Sequence, residues 1–193
     1  RPSAAKITSA SSAGPVPPRG APSTVAPFSL AACGANIELS ADGYVATRAR
    51  GCRQAGIVGS APLDPQPGGR YFEVTVDEAV AGWVGGLGIG VTATSPELVA
   101  RVPDKAWRIP RTFMVGYSGC AFLDGAEHRL AWNPDGLTAG ARVGLLVSEG
   151  DGDLVVFVDG KVAVRVEAGL AGERVLYPVV DVFAATLVVS LRR

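Results

Sequence analysis

The chain has 193 residues, 48% of them hydrophobic and 19% charged, enough for one domain with a sizeable core and a short extra segment. Lysine plus arginine number 18, as do aspartate plus glutamate, so the formal net charge is zero and gives no electrostatic reason to bind nucleic acid or anionic lipid. Three widely spaced cysteines, Cys33, Cys52 and Cys120, do not make a disulfide framework or a metal-ligand spacing, and they read as small thiols in a reducing compartment.

Residues 1–27 stand apart. They hold six prolines, many Ala and Ser, the basic residues Arg1, Lys6 and Arg19, and no acid; the first carboxylate of the chain is Glu38. Such a segment has no periodic apolar face and does not fold alone. Its composition is that of either a flexible leader or the remnant of an organelle-targeting region, which points to a plastid or mitochondrion, against a cytoplasmic default. Fully extended, it reaches on the order of 90 Å at about 3.3 Å per residue. That length exceeds the spare surface of a small domain, so the leader is expected to lie along a neighbouring subunit.

From Phe28 onward the pattern is that of strands. Phe72, Val74 and Val76 alternate with Tyr71, Glu73, Thr75 and Asp77, as in a strand with one buried face. Residues 79–96 carry no charge, but five glycines and a Thr-Ala-Thr-Ser-Pro finish make them a loop running into a strand rather than a membrane span. One short helical turn is expected near Pro96–Ala100. Leu154–Val158 is apolar throughout, as in a strand buried on both faces. Val162, Val164 and Val166 alternate again, and so do Leu187, Val189 and Leu191. Asp159-Gly160, between two apolar runs, is a strong hairpin signal. Asp42-Gly43, Asp124-Gly125, Asp135-Gly136 and Gly150–Asp153 mark further turns. About eleven strands at this spacing predict an all-β, antiparallel β-sandwich over 28–193.

Motifs for catalysis are weak. Gly86-Leu87-Gly88-Ile89-Gly90 leads into a strand with no helix after it, so it is not a dinucleotide loop. Ser118 in Gly116-Tyr117-Ser118-Gly119 lacks a nucleophile elbow, although His128, the one histidine, is formally available as its base. Glu149, Asp151 and Asp153 lack the pattern of a calcium loop. No catalytic residue, metal ligand or cofactor is assigned, and the chain is not expected to be an enzyme. The strongest candidate for binding is the group Arg101, Trp107, Arg108 and Arg111, in a polar connection between two strands, and Arg19 of the leader is a further candidate. Trp and Arg dominate interface hot spots. Two readings stand for this group: a protein-binding patch, or a Trp107 that caps the core beneath solvated arginines.

The order of motifs resembles that of a neuralized homology repeat domain, a relative of the SPRY (concanavalin-like) sandwich. The matching blocks are Gly34-Ala35-Asn36-Ile37-Glu38-Leu39-Ser40, Gly56-Ile57-Val58-Gly59-Ser60-Ala61-Pro62-Leu63, Tyr71-Phe72-Glu73-Val74 and, most specifically, Gly82-Trp83-Val84-Gly85-Gly86-Leu87-Gly88-Ile89-Gly90-Val91-Thr92. Phe157-Val158-Asp159-Gly160 and Tyr177-Pro178-Val179-Val180-Asp181-Val182-Phe183 follow in the family's order. The resemblance implies a non-catalytic module whose loops grip a protein surface. Ubiquitin transfer by family members depends on a separate RING domain, and three Cys with one His cannot build its two zinc sites. The expected role is a structural or adaptor subunit docked on other proteins of a larger complex, membrane-associated or not, with no membrane span of its own. The alternatives are a transient peptide-recognition module of a ubiquitin-ligase or signalling pathway, and a carbohydrate-binding sandwich.

Overall fold

Alternation of apolar and polar residues gives each strand one face for a core, and two sheets close over that core. The computed structural model describes residues 25–193 together with the backbone of Ile7–Thr8. Its strands are β1 (Ile7–Thr8), β2 (Phe28–Cys33), β3 (Ile37–Leu39), β4 (Val45–Arg48), β5 (Gly56–Gly59), β6 (Gly69–Ala79), β7 (Gly88–Thr92) and β8 (Thr112–Gly116). They continue as β9 (Cys120–Leu123), β10 (Ala126–Arg129), β11 (Arg142–Ser148), β12 (Leu154–Val158), β13 (Lys161–Val166), β14 (Tyr177–Asp181) and β15 (Thr186–Leu191). An eight-stranded sheet has the order β1-β13-β12-β11-β6-β15-β4-β3, and a seven-stranded sheet the order β10-β9-β8-β7-β14-β5-β2. Every pairing is antiparallel.

The fold is the antiparallel sandwich read from the sequence. Fifteen strands replace the expected eleven, because strands of three or four residues such as β3, β4 and β5 are too short to show a period. Three 3-10 turns are the helical elements among the described residues; one, Pro96–Leu98, lies where a turn was expected, and the others are Ala106–Arg108 and Pro134–Gly136. The Asp159-Gly160 hairpin forms, with φ of 49° and 78°, the left-handed pair that a type I′ turn requires.

The main core lies between the sheets and includes Phe72, Val74 and Val76 of β6, Leu145 of β11, Ile89 of β7 and Val180 of β14. Two smaller apolar groups lie on the outer faces. One, on the seven-stranded sheet, contains Met114, Tyr117, Phe122 and Val179 and is covered by the β7–β8 connection through Val99, Val102, Ala106 and Ile109. The other, on the eight-stranded sheet, consists of Leu146, Val155 and Phe157 with Tyr71 and Val162 against it. No helix among the described residues is long and apolar enough to cross a membrane. Of the leader, β1 pairs with β13 of its own domain, Ile7 opposite Val166 and Thr8 opposite Arg165; the rest, apart from 25–27, lies outside the described residues.

Candidate protein-binding surface

One end of the sandwich gathers the β6–β7 loop, the β8–β9 turn, the β10–β11 loop and the β14–β15 turn. The β6–β7 loop is fixed at its base from several sides. Val80 N–H donates to the Ala185 carbonyl (2.7 Å), Ala185 N–H to the Gly85 carbonyl (3.1 Å), and Gly86 N–H to the Tyr117 carbonyl (2.8 Å). Gly85 N–H donates to the Asp135 carboxylate at 2.6 Å, and Asp135 is itself held by a turn in which its N–H donates to Asn133 Oδ1. Gly85 has φ of +86°, and a Cβ there would come 2.9 Å from the Phe183 ring, so the site favours glycine on both counts. From this base the loop tip presents Trp83, 51% exposed, and Val84, 78% exposed. Two neighbouring apolar side chains held in water on a pinned loop are poised to bury area on a partner.

Aromatic side chains continue this surface over the seven-stranded sheet. Trp107 stacks on Phe122 with centroids 4.4 Å apart and planes 4° off parallel. Tyr117 meets Phe122 edge-on at 5.5 Å and Phe183 at 5.6 Å. Lys105 Nζ stands 3.1 Å from the Phe183 centroid and donates to the Cys52 carbonyl. Burial lowers the Lys105 pKa, against the pull of the Asp181 charge.

Asp181, at the end of β14, is the electrostatic pin beneath this surface. It is fully buried; its Oδ2 accepts from Ala106 N–H and from the Tyr117 hydroxyl, both at 2.9 Å. Oδ1 has no hydrogen-bond partner among the described residues. Burial raises the carboxyl pKa, opposed by the Ala106 and Tyr117 hydrogen bonds and the charges of Lys105 and Arg48. Burial likewise holds the Tyr117 phenol well above its ordinary value, so it stays a donor. The carboxylate thus ties the β7–β8 connection, through Ala106, to the sheet and to the β8–β9 turn.

The sequence candidates separate. Trp107 and Arg108 come together, with the guanidinium 5.0 Å from the Trp107 ring centroid. Arg111 instead pairs with Glu173 at 2.9 Å, and Arg101 faces the Gln54 amide. Arg19 lies outside the described residues. Trp107 is packed against the outer-face cluster and is half-buried. Trp83 and Val84 were not singled out by the sequence, although the Gly-Trp-Val-Gly-Gly block was legible. The signal for Asp181 was a lone carboxylate in the apolar run Val179–Phe183.

Ser118 sits exposed in the β8–β9 turn and His128 on the edge strand β10, opposite Ala121. Arg165 bonds both Asp153 (2.7 Å) and Asp151 (3.0 Å), which explains the acidic hairpin as an ion-pair cluster. Among the described residues no group of three or more His, Cys, Asp or Glu is placed to hold a metal ion. Cys33, Cys52 and Cys120 are free thiols.

Fold and surface together define an antiparallel two-sheet β-sandwich with a SPRY-like fold. Residues 28–193 match the Neuralized family along their whole length, and the chain belongs to that family. It is similar to the Neuralized NHR1 domain of Drosophila melanogaster, with a TM-score of 0.68 and 18% identity over 86% of this chain and 97% of that one. The SPRY domain of human HERC1 is similar in fold, with a TM-score of 0.60 and 15% identity over 85% and 96% of the two chains. Neuralized-like protein 2 of Mus musculus is 34% identical over 85 residues, 44% of this chain, and the match spans only 28% of that relative's length. Domains of this kind are protein-interaction modules rather than catalytic ones.

Proposed function

We propose that the chain docks a protein partner at the loop end carrying Trp83 and Val84, as an adaptor or structural subunit of a larger assembly. The observation that carries this reading is the exposure of two adjacent apolar side chains on a loop whose base is fixed by four hydrogen bonds. A pre-ordered loop loses little conformational freedom on binding, so more of the buried area appears as affinity. Trp107 and Arg108 extend the contact over the sheet, with Arg101 and Arg111 at its margin and Arg19 as a further contact from the leader.

The test is affinity purification from the source cell, wild type beside the double variant Trp83→Ala, Val84→Ser. Stoichiometric proteins retained by the wild type and lost by the variant support docking at this end, and their size and number identify the assembly. Proteins retained equally by both overturn it. Substoichiometric company that is also lost places the same surface in a transient peptide-recognition role. Residence in a plastid or mitochondrion is the extension suggested by the acid-free leader, and cell fractionation with an antibody to the domain decides it.

A further inference from the structure

We infer, on the docking reading given above, that the face built by the β4–β5 loop and the β7–β8 connection takes an acidic segment of the partner protein, whose carboxylates meet Arg50, Arg53, Arg101, Lys105 and Arg108. The formal charge of the chain is zero, but the charge is not spread evenly. Residues 49–54 and 101–108 carry five basic residues and one acid, Asp104, an excess of four positive charges. The fold sets these two segments side by side. Gln54 N–H donates to the Asp104 carbonyl at 3.1 Å, and Lys105 Nζ donates to the Cys52 carbonyl at 3.3 Å. The Arg101 guanidinium faces the Gln54 amide, and Arg108 N–H donates to the Lys105 carbonyl at 3.1 Å.

These charges are open to a partner. Arg50, Arg53, Arg101 and Arg108 are exposed. The Arg53–Asp104 ion pair, at 3.4 Å, joins side chains 79% and 42% exposed, so water screens it and an incoming carboxylate can compete for Arg53. Burial lowers the Lys105 pKa, and the nearby Arg53 charge lowers it further; two like charges crowd here, and an anion relieves both. At the margins the charges cancel: Arg111 pairs with Glu173 at 2.9 Å, and β10 carries Glu127 beside Arg129. Arg48 is engaged differently, donating to the carbonyls of Gly51, Ala184 and Thr186, which ties the β4–β5 loop to the β14–β15 turn.

The chemistry favours a peptide carboxylate. A guanidinium presents a planar fork that matches a carboxylate, and Arg101 and Arg108 are already placed by Gln54 and by the Trp107 ring, so less freedom is lost on binding. Single-stranded nucleic acid needs open aromatic faces for its bases. Here Trp107 is engaged by Phe122 at 4.4 Å and by Arg108 at 5.0 Å, and Phe183 by Lys105 at 3.1 Å. The basic face is also continuous with the Trp83 end. The Phe183 ring carries Lys105 and stands 2.9 Å from where a Cβ on Gly85 would lie, at the base of the β6–β7 loop. One extended segment with apolar residues beside an acidic run engages both.

The test uses the full chain and two fluorescent peptides, Leu-Phe followed by four Asp-Glu repeats and Leu-Phe followed by four Ser-Gly repeats, read by fluorescence polarisation. The acidic peptide is expected to bind about tenfold more tightly. That margin should vanish in Arg53→Glu, Arg101→Glu, shrink in the milder pair Arg50→Gln, Arg53→Gln, and fall as salt rises from about 50 mM to about 300 mM. The control Arg142→Glu, Lys161→Glu makes the same change in net charge on the eight-stranded sheet and should keep the margin. Equal binding of the two peptides, binding of neither, or equal loss in the control overturns the acidic assignment. Tighter binding of oligothymidylate or of phosphatidylserine vesicles, with the same dependence on Arg53 and Arg101, overturns the assignment to a protein segment. Trp83→Ala, Val84→Ser should weaken both peptides and preserve their ratio. A variant with both Kd values unchanged refutes docking at Trp83 and leaves the basic face standing, whereas a ratio of one in the wild type refutes the basic face alone.

Discussion

Replacing Tyr117 by Phe removes one buried hydroxyl from the contact with Asp181. The ring keeps its packing against Phe122 and Phe183. What is lost is the 2.9 Å hydrogen bond to Asp181 Oδ2. Since Oδ1 has no hydrogen-bond partner among the described residues, the carboxylate would retain only the Ala106 N–H. A hydrogen bond to an ionised group contributes about 1.5–3 kcal/mol, against about 1 kcal/mol for a neutral pair. A loss of about 2 kcal/mol follows when Asp181 is ionised, and closer to 1 kcal/mol when it is protonated. Urea unfolding followed by tryptophan fluorescence reads this directly: with a slope of about 2 kcal/mol per molar, the midpoint falls by about 1 M. Because the hydroxyl favours the ionised form, the loss should grow with pH, and Asp181→Asn should remove that growth. A Tyr117→Phe change below about 0.5 kcal/mol at every pH would show that Asp181 does not pin the surface in this way.

Asp181 also sets a sign for the wild type. Burial holds its folded pKa above the unfolded one, so the folded chain takes up the proton more readily. This contribution favours folding most below the unfolded value and fades as pH rises through the folded one; Asp181→Asn should flatten that slope in denaturation curves taken across acid pH. Trp107→Ala loses the stack on Phe122 and part of the cover over the sheet, and should cost about 2 kcal/mol in the same assay. Gly85→Ala forces a side chain into left-handed backbone against the Phe183 ring, and should cost about 1–2 kcal/mol while weakening partner binding through the displaced loop. Restoring stability to Gly85→Ala without restoring binding would identify the loop's aim, rather than global folding, as the defect.

The strands were legible because alternation is a local signal. Phe72-Val74-Val76 and Val164-Val166 had their inward faces written in the chain, and Asp159-Gly160 marked its turn by the one dipeptide that fits two positive φ angles. The double-sided burial of Leu154–Phe157 was legible as well. The binding surface was less so. Trp107 and Arg108 stood out by residue type, but Arg111 and Arg101 have side-chain partners, Glu173 and Gln54, 62 and 47 positions away along the chain. Asp181, Tyr117 and Lys105 meet only when the end of β14, the β8–β9 turn and the β7–β8 connection are folded together. Trp83 was read inside a glycine-rich block as a mark of the fold, since nothing local distinguishes a tryptophan that packs inward from one held out in water.

The most direct test of the account is the binding constant of the domain for its purified partner, measured by titration calorimetry with wild type and with Trp83→Ala, Val84→Ser. Loss of an anchor of about 2 kcal/mol corresponds to at least about a 30-fold rise in Kd. The account predicts that rise with the unfolding midpoint unchanged. An unchanged Kd in a folded variant would contradict it and place the partner on another face of the sandwich.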